Sequence, residues 1–149
     1  MVTRKWGNKS LAVYLTLDKR LQEICDYLLQ NVADISLVTG YRGEAEQNAK
    51  FAAGLSKVRW PEGKHNRRPS IAVDLQPYPV PERTEKLWAA LAYVAGCAIE
   101  YAKARGITLR WGGDWNRNGD LSDQNFDDLY HLEIVESESS DSLTPAGDS

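Results

Sequence analysis

Two histidines are all the imidazole in this 149-residue chain, and each lies close to carboxylates. His65 stands in Lys64-His65-Asn66-Arg67-Arg68-Pro69-Ser70-Ile71-Ala72-Val73-Asp74, and His131 in Asp127-Asp128-Leu129-Tyr130-His131-Leu132-Glu133. Two imidazoles and one carboxylate make a three-donor zinc set that leaves a fourth position open for water. His65, Asp74 and His131 are the candidate ligands. Asp128, three residues before His131, is a candidate base for hydrolysis by a metal-activated water. Spacing alone leaves a second reading equally open, in which each histidine is a surface residue or a satisfied core residue.

The pattern of the chain predicts the elements that would position these groups. Leu17, Leu21, Ile24, Leu28 and Val32 form one stripe of an amphipathic helix, with Thr16 as its N-cap. Ile35 to Val38 reads as a short strand, broken by Thr39-Gly40-Tyr41-Arg42-Gly43. Glu44 to Ala53 reads as a helix ending at Gly54. Ile71 to Leu75 is a strand stopped by Pro77, Pro79 and Pro81. Glu82 to Arg105 is the longest helical pattern, with Gly106 at its end. Ile107 to Trp111 alternates like a strand, Gly112 to Asp128 is a polar loop, and His131 to Val135 is the last strand. Strands and helices are interspersed without regular βαβ alternation. The expected fold is therefore α+β, a single domain with helices packed on a small, mostly antiparallel sheet.

Composition narrows the class. The net charge is −3, and residues 136–149 hold Glu136, Glu138, Asp141 and Asp148 with no basic residue. Taking those four charges away leaves the body at +1, which gives no electrostatic case for nucleic acid. The expected division is a catalytic domain over residues 1–135 and a disordered acidic, Ser-rich tail over 136–149. Cys25 and Cys97 fall inside apolar helical patterns and read as buried thiols without metal-ligand spacing. No apolar run approaches a membrane span, and no convincing signal peptide precedes Asp18. The expectation is a monomer without membrane insertion.

Motif wording goes further than spacing. The His65 to Asp74 segment, with Ala72-Val73-Asp74, resembles the SxHxxGxAxD signature of the zinc peptidases that include D-Ala-D-Ala carboxypeptidases, related dipeptidases and phage endolysins. Asp128-Leu129-Tyr130-His131 resembles their [ED]xxH motif. Ser36-Leu37-Val38-Thr39-Gly40-Tyr41-Arg42, followed by Gln47, is similar to their SGYR…Q segment. The resemblance covers residues from about 35 to 135 and is nearest to the phage L-alanyl-D-glutamate endopeptidase branch. It implies zinc on His65, Asp74 and His131, Asp128 as base, Arg42 holding substrate or the developing oxyanion, and Gln47 in substrate binding. It further implies a bacterial peptidoglycan stem peptide as substrate. A protein of this kind would be made in the host cytoplasm and reach the wall through a separate membrane pore. Two departures stand out. Eight residues separate His65 from Asp74 where the signature has six, and Gly63 and Ser70 replace its Ser and Gly.

Asp114-Trp115-Asn116-Arg117-Asn118-Gly119-Asp120-Leu121-Ser122-Asp123 fits the first part of an EF-hand loop, with oxygen donors at positions one, three and five and glycine at six. Position twelve is Asn125 rather than Glu. Asp114, Asn116, Asn118, Asp120 and Asp123 are thus candidate calcium ligands, and a loop without an ion is equally consistent with the sequence. Trp111 and Trp115, flanking this loop, could line a substrate groove. Three functions compete: a wall peptidase cutting L-alanyl-D-glutamate, with D-alanyl-D-alanine carboxypeptidase as its variant; a non-catalytic, metal-containing wall-binding module; and a calcium-binding structural domain.

Overall fold

A computed structural model describes residues 3–124 and 127–136. Asn125 and the tail beyond Glu136 lie outside these residues. The order of elements is α1 (Asn8–Tyr14), α2 (Lys19–Asn31), β1 (Ile35–Thr39), α3 (Glu44–Ala52), β2 (Ala72–Pro77), α4 (Thr84–Ala104), β3 (Leu109–Gly112) and β4 (Asp128–Ile134). The strands form one antiparallel sheet in the order β1-β2-β4-β3. The fold is α+β, as the sequence pattern predicts.

Several boundaries differ from the expected ones, each for a local reason. α2 begins at Lys19 rather than at Leu17, because Asp18 is the N-cap and accepts from the Arg20 backbone N–H at 2.9 Å. Thr16 works elsewhere: its Oγ1 accepts the Tyr41 N–H at 3.0 Å and donates to the Val13 carbonyl at 2.7 Å. Leu17 leaves the helix to bridge Ser70. A further helix, α1, precedes the expected one. β2 continues through Pro77, where the sequence suggests a stop. β4 begins at Asp128, three residues before the expected start, so the candidate base belongs to the strand.

The sheet has two different faces. Leu37, Val73, Leu75, Leu109, Trp111, Leu132 and Ile134 pack with Leu21, Ile24 and Leu28 of α2 and Leu91, Val94 and Ala98 of α4 in one apolar core. Cys25 lies in this core, and burial pushes its thiol up to about 12, which keeps it unreactive near neutral pH. Cys97 is only half-buried. The alternate positions of the central strands carry polar residues. The register sets Asp74 opposite His131 and Arg110 opposite Glu133. Opposed residues in a ladder share a face, so these four groups meet on the side away from the apolar core.

Two irregularities of register shape this polar side. Between β1 and β2 the pairing slips at Val38, so Thr39 rather than Val38 comes opposite Asp74. Between β3 and β4, Trp111 pairs with Leu132 but Gly112 pairs with Asp128. The extra residues of β4 bulge there, which lets Asp128 and His131 approach one centre despite an offset of three. Gly112 makes this possible. A Cβ on it would lie 2.0 Å from the Asp128 carbonyl oxygen, inside van der Waals contact with backbone.

Gly112→Ala is therefore expected to destabilise the protein by about 1–3 kcal/mol, as overpacking does. Gly96 sits exposed within α4, where a Cβ meets nothing within 4 Å. Gly96→Ala is expected to stabilise by about 0.5–1 kcal/mol through helix propensity. Urea unfolding midpoints of the two variants should move in opposite directions from the parent's.

Candidate active site

The three expected ligands converge. One donor atom from each of His65, Asp74 and His131 lies within 4.8 Å of the others, and all three residues are buried. They come from three places in the chain: a single helical turn at Lys64–Asn66, the third residue of β2, and β4 itself. Asp74 Oδ1 stands 3.3 Å from His65 Nε2 and 3.1 Å from His131 Nδ1. Among the described residues this is the one group of three or more His, Cys, Asp or Glu side chains with donors gathered closely enough for a metal ion.

The far nitrogen of each ring is already assigned. His65 Nδ1 lies 2.7 Å from the Gly40 carbonyl oxygen, which only a ring N–H can satisfy. That leaves Nε2 as the lone-pair nitrogen on the Asp74 side. His131 Nε2 lies 2.7 Å from Glu133 Oε1, so its N–H donates there and Nδ1 faces the cluster. Metal-bound imidazoles are oriented in this way, by a carbonyl or carboxylate on the other nitrogen. Glu133 is held in turn by Arg110, whose Nη2 donates to Oε2 at 2.6 Å. Both residues are fully buried. The donor set suits a divalent cation of borderline softness.

Electrostatics agree with that reading. Burial alone would raise the Asp74 carboxyl, but the His65 and His131 imidazoles hold it well below the usual carboxylate range. Burial would lower His131, but hydrogen bonds to Asp74 and Glu133 raise it well above the ordinary histidine value. Glu133, which burial would raise, is held down at about 2 by His131 and Arg110. Two carboxylates facing one ring favour positive charge there, so a proton and a metal ion compete for the same place.

The longer His65–Asp74 loop does not displace His65. Arg67, Arg68 and Pro69 are exposed, while Gly63 to Asn66 and Ser70 are buried. The additional length therefore lies on the surface. The ends are fastened: Arg42 N–H donates to the His65 carbonyl at 2.8 Å, and Asn66 Nδ2 donates to the Arg42 carbonyl at 3.1 Å. Arg67 and Arg20 both pair with Glu136, the first residue of the expected tail.

Asp128 is buried, and its Oδ2 lies 3.9 Å from His131 Nδ1, beside the cluster without joining it. Arg42 is buried too, with Nη2 3.8 Å from Asp74 Oδ2 and Nη1 donating to Gln47 Oε1 at 3.1 Å. Gln47 is fully buried. Its amide oxygen also accepts from Asn66, and its amide nitrogen donates to Ser56 Oγ and the Val58 carbonyl. These four bonds use the whole capacity of the amide, so Gln47 is placed to hold Arg42.

Trp111 and Trp115 are buried and are not among the residues lining the groove next to the cluster; Trp111 lines a separate pocket with Asp114, Arg117 and Gly119. Trp115 instead packs on the His131 ring at 5.5 Å and lies under the Arg110 guanidinium. The open groove next to the cluster, about 650 Å³, is lined by Asp74, Asp128, Lys50, Trp88 and Tyr130 among others. In the 114–123 loop, Asp114 accepts from the backbone N–H groups of Asn118 and Gly119, and Asp120 from Ser122. Asn118 Nδ2 donates to Asp123 at 2.7 Å. Asp114, Asp120 and Asp123 are not gathered around a common point.

The sequence profile of the phage L-alanyl-D-glutamate peptidase family matches residues 2–135. The chain belongs to this family. The L-alanyl-D-glutamate peptidase of Escherichia phage T5 is 31% identical over an alignment of 140 residues that covers 88% of this chain and 98% of that protein. The crystal structure of Serratia marcescens L-Ala D-Glu endopeptidase ChiX shares the fold, with a TM-score of 0.67, 22% identity, and coverage of 86% of this chain and 87% of that one. The chain is a peptidase by family, and its gathered donors could hold a metal ion. No helix among the described residues is long and apolar enough to cross a membrane.

Sequence reasoning missed Arg110 and the role of Glu133. Alternation in β4 does give a signal, since Glu133 shares His131's face at i+2. Nothing in the sequence pairs Arg110 with it. Glu133→Gln is expected to weaken metal binding about 10–100-fold, measured by competition with a chromophoric chelator. The same change leaves Arg110 without its buried carboxylate and lowers stability by about 3–5 kcal/mol. Adding Arg110→Met should recover part of the stability and none of the metal affinity.

Proposed function

We propose that this chain is a zinc-dependent peptidoglycan peptidase that hydrolyses the L-alanyl-D-glutamate bond of stem peptides. The observation that carries the reading is the buried His65–Asp74–His131 cluster, with Asp128 beside it and the groove open to one side. Two imidazole nitrogens and one carboxylate oxygen, with a side left for water and substrate, are the donor set of a catalytic zinc centre. When bound there, zinc would polarise the scissile carbonyl and make water nucleophilic near neutral pH.

The remaining work falls to the chain's own groups. Asp128, outside the ligand set, takes a proton from the attacking water and delivers it to the leaving amine of D-glutamate. Arg42 adds fixed positive charge next to Asp74, where negative charge develops on the carbonyl oxygen. Gln47, through Arg42 Nη1, keeps that guanidinium in one orientation and serves substrate binding indirectly. The same proposal has the protein made in the host cytoplasm, admitted to the wall by a separate pore, with residues 1–135 as the catalytic domain and 136–149 as a tail.

Calcium on Asp114, Asn116, Asn118, Asp120 and Asp123 is a separate part of the proposal. The three aspartates would have to turn from their present hydrogen bonds to meet one ion. Calcium added to the zinc-loaded protein should then change Trp115 fluorescence and activity. Unchanged signals across a millimolar titration would remove this part alone.

Digestion of purified peptidoglycan tests the main reading. The parent protein should release fragments with new N-terminal D-glutamate, identified by mass. Asp128→Asn should keep its zinc, measured by elemental analysis, and lose at least about 100-fold in rate, the usual scale of general base catalysis. New C-terminal D-alanine-lacking stems would instead indicate the carboxypeptidase. Zinc binding without any cleavage would leave a wall-binding module.

A further inference from the structure

Among the described residues, the groove next to the His65–Asp74–His131 cluster has one basic lining side chain. Of its lining residues, Asp74, Asp127 and Asp128 are acidic and Lys50 alone is basic. Arg42 is buried beneath and does not line it. Lys50 lies in the last turn of α3, is half-buried, and among the described residues has no ion pair or side-chain hydrogen bond. A lysine in a last turn suits the helix dipole wherever it occurs. This one also faces a groove whose other lining includes the exposed side chains of Leu55 and Trp88. Apolar neighbours thin the water around an ammonium and strengthen its attraction for an anion.

The substrate brings an anion to this place. In a stem peptide, D-glutamate contributes its amine to the scissile bond and continues the chain through its side-chain carboxyl. Its α-carboxylate therefore branches from the carbon that bears the scissile nitrogen. A scissile carbonyl beside Asp74 and Asp128 directs that carboxylate into the adjoining groove, where Asp127 and Asp128 are the acids outside the ligand set and Lys50 is the basic lining side chain. Lys50 offsets the repulsion of those two acids.

We infer that Lys50 binds the α-carboxylate of the D-glutamate residue and makes the enzyme selective for stems that carry the free acid over those that carry the α-carboxamide. This rests on the L-alanyl-D-glutamate reading above. Lys50 is a specificity-determining residue here, and it takes no part in proton transfer.

Two synthetic stem peptides, differing only in D-glutamate α-carboxylate against α-carboxamide, test it with the zinc-loaded protein. The parent should prefer the acid by about 10–100-fold in kcat/KM, the range of one hydrogen bond to a charged group. The preference should appear in KM with kcat nearly unchanged. Lys50→Met should raise KM for the acid by that factor, leave the amide unaffected, and keep the parent's melting temperature and zinc content. Lys50→Arg should retain part of the preference. Equal rates of the parent on acid and amide would overturn the inference, as would a loss in Lys50→Met shared by both peptides. A third peptide, amidated instead on the diamino acid that follows D-glutamate, distinguishes the two carboxylates. A Lys50-dependent preference confined to that peptide would also overturn the assignment. Failure of the parent to cut any of the peptides would count against the L-alanyl-D-glutamate reading itself, a result distinct from cleavage without selectivity.

Discussion

A buried line of charge crosses the sheet from β2 to β3: Asp74, His131, Glu133 and Arg110, each within hydrogen-bonding distance of the next. Such groups are expensive to take out of water unless every charge is matched. Here the match depends on strand register, which puts Asp74 opposite His131 and Glu133 opposite Arg110. A slip of β4 by one residue would turn His131 and Glu133 toward the apolar core and bring Leu132 to the polar side. The line thus holds the sheet in one register, and the sheet holds the line in one geometry. A site for a cation follows from that mutual constraint, because His131 presents one nitrogen to Asp74 and has the other tied to Glu133.

The rest of the structure completes this core of charge from outside the sheet. His65 arrives on a loop, but three backbone and side-chain hydrogen bonds make it as fixed as a strand residue: its ring to Gly40, its carbonyl to Arg42, and Asn66 to Arg42. Gly40 has to be glycine, since a Cβ there would meet Thr16 Oγ1 at 2.3 Å. That explains why Thr16 is absent from the cap of α2. Its hydroxyl belongs to the turn that supports His65. Trp115, packed against both His131 and Arg110, covers the same line. Loops and Trp115, with Gln47 of α3 behind Arg42, cover this polar side of the sheet.

Rigid and accessible parts are separated. The cluster, Arg42 and Gln47 are buried and heavily bonded, as preorganised electrostatic groups must be. The groove beside them has exposed Trp88, Leu55 and Tyr130 on its lining, a surface fit to receive a peptide. Specificity can therefore vary along the groove without disturbing the charge line beneath it.

The sequence by itself determined the α+β class and the helices α3 and α4 nearly to their ends, and its motif resemblance named the three candidate donors. The helices are local features: periodicity marks an amphipathic helix, and Gly54 and Gly106 end helices with positive φ. Only the tertiary structure decided what Arg110, Glu133, Thr16, Trp115 and Gln47 do. Each meets partners far away in the chain, such as Arg110 with Glu133 and Gln47 with Asn66. It also decided that the extra residues after His65 lie on the surface and that Asp128 reaches the site through a bulge opposite Gly112. The physical reason is common to all of them. Propensity and patterning act over a few residues, whereas charge pairing, close backbone approach and register exist only once separate strands have met.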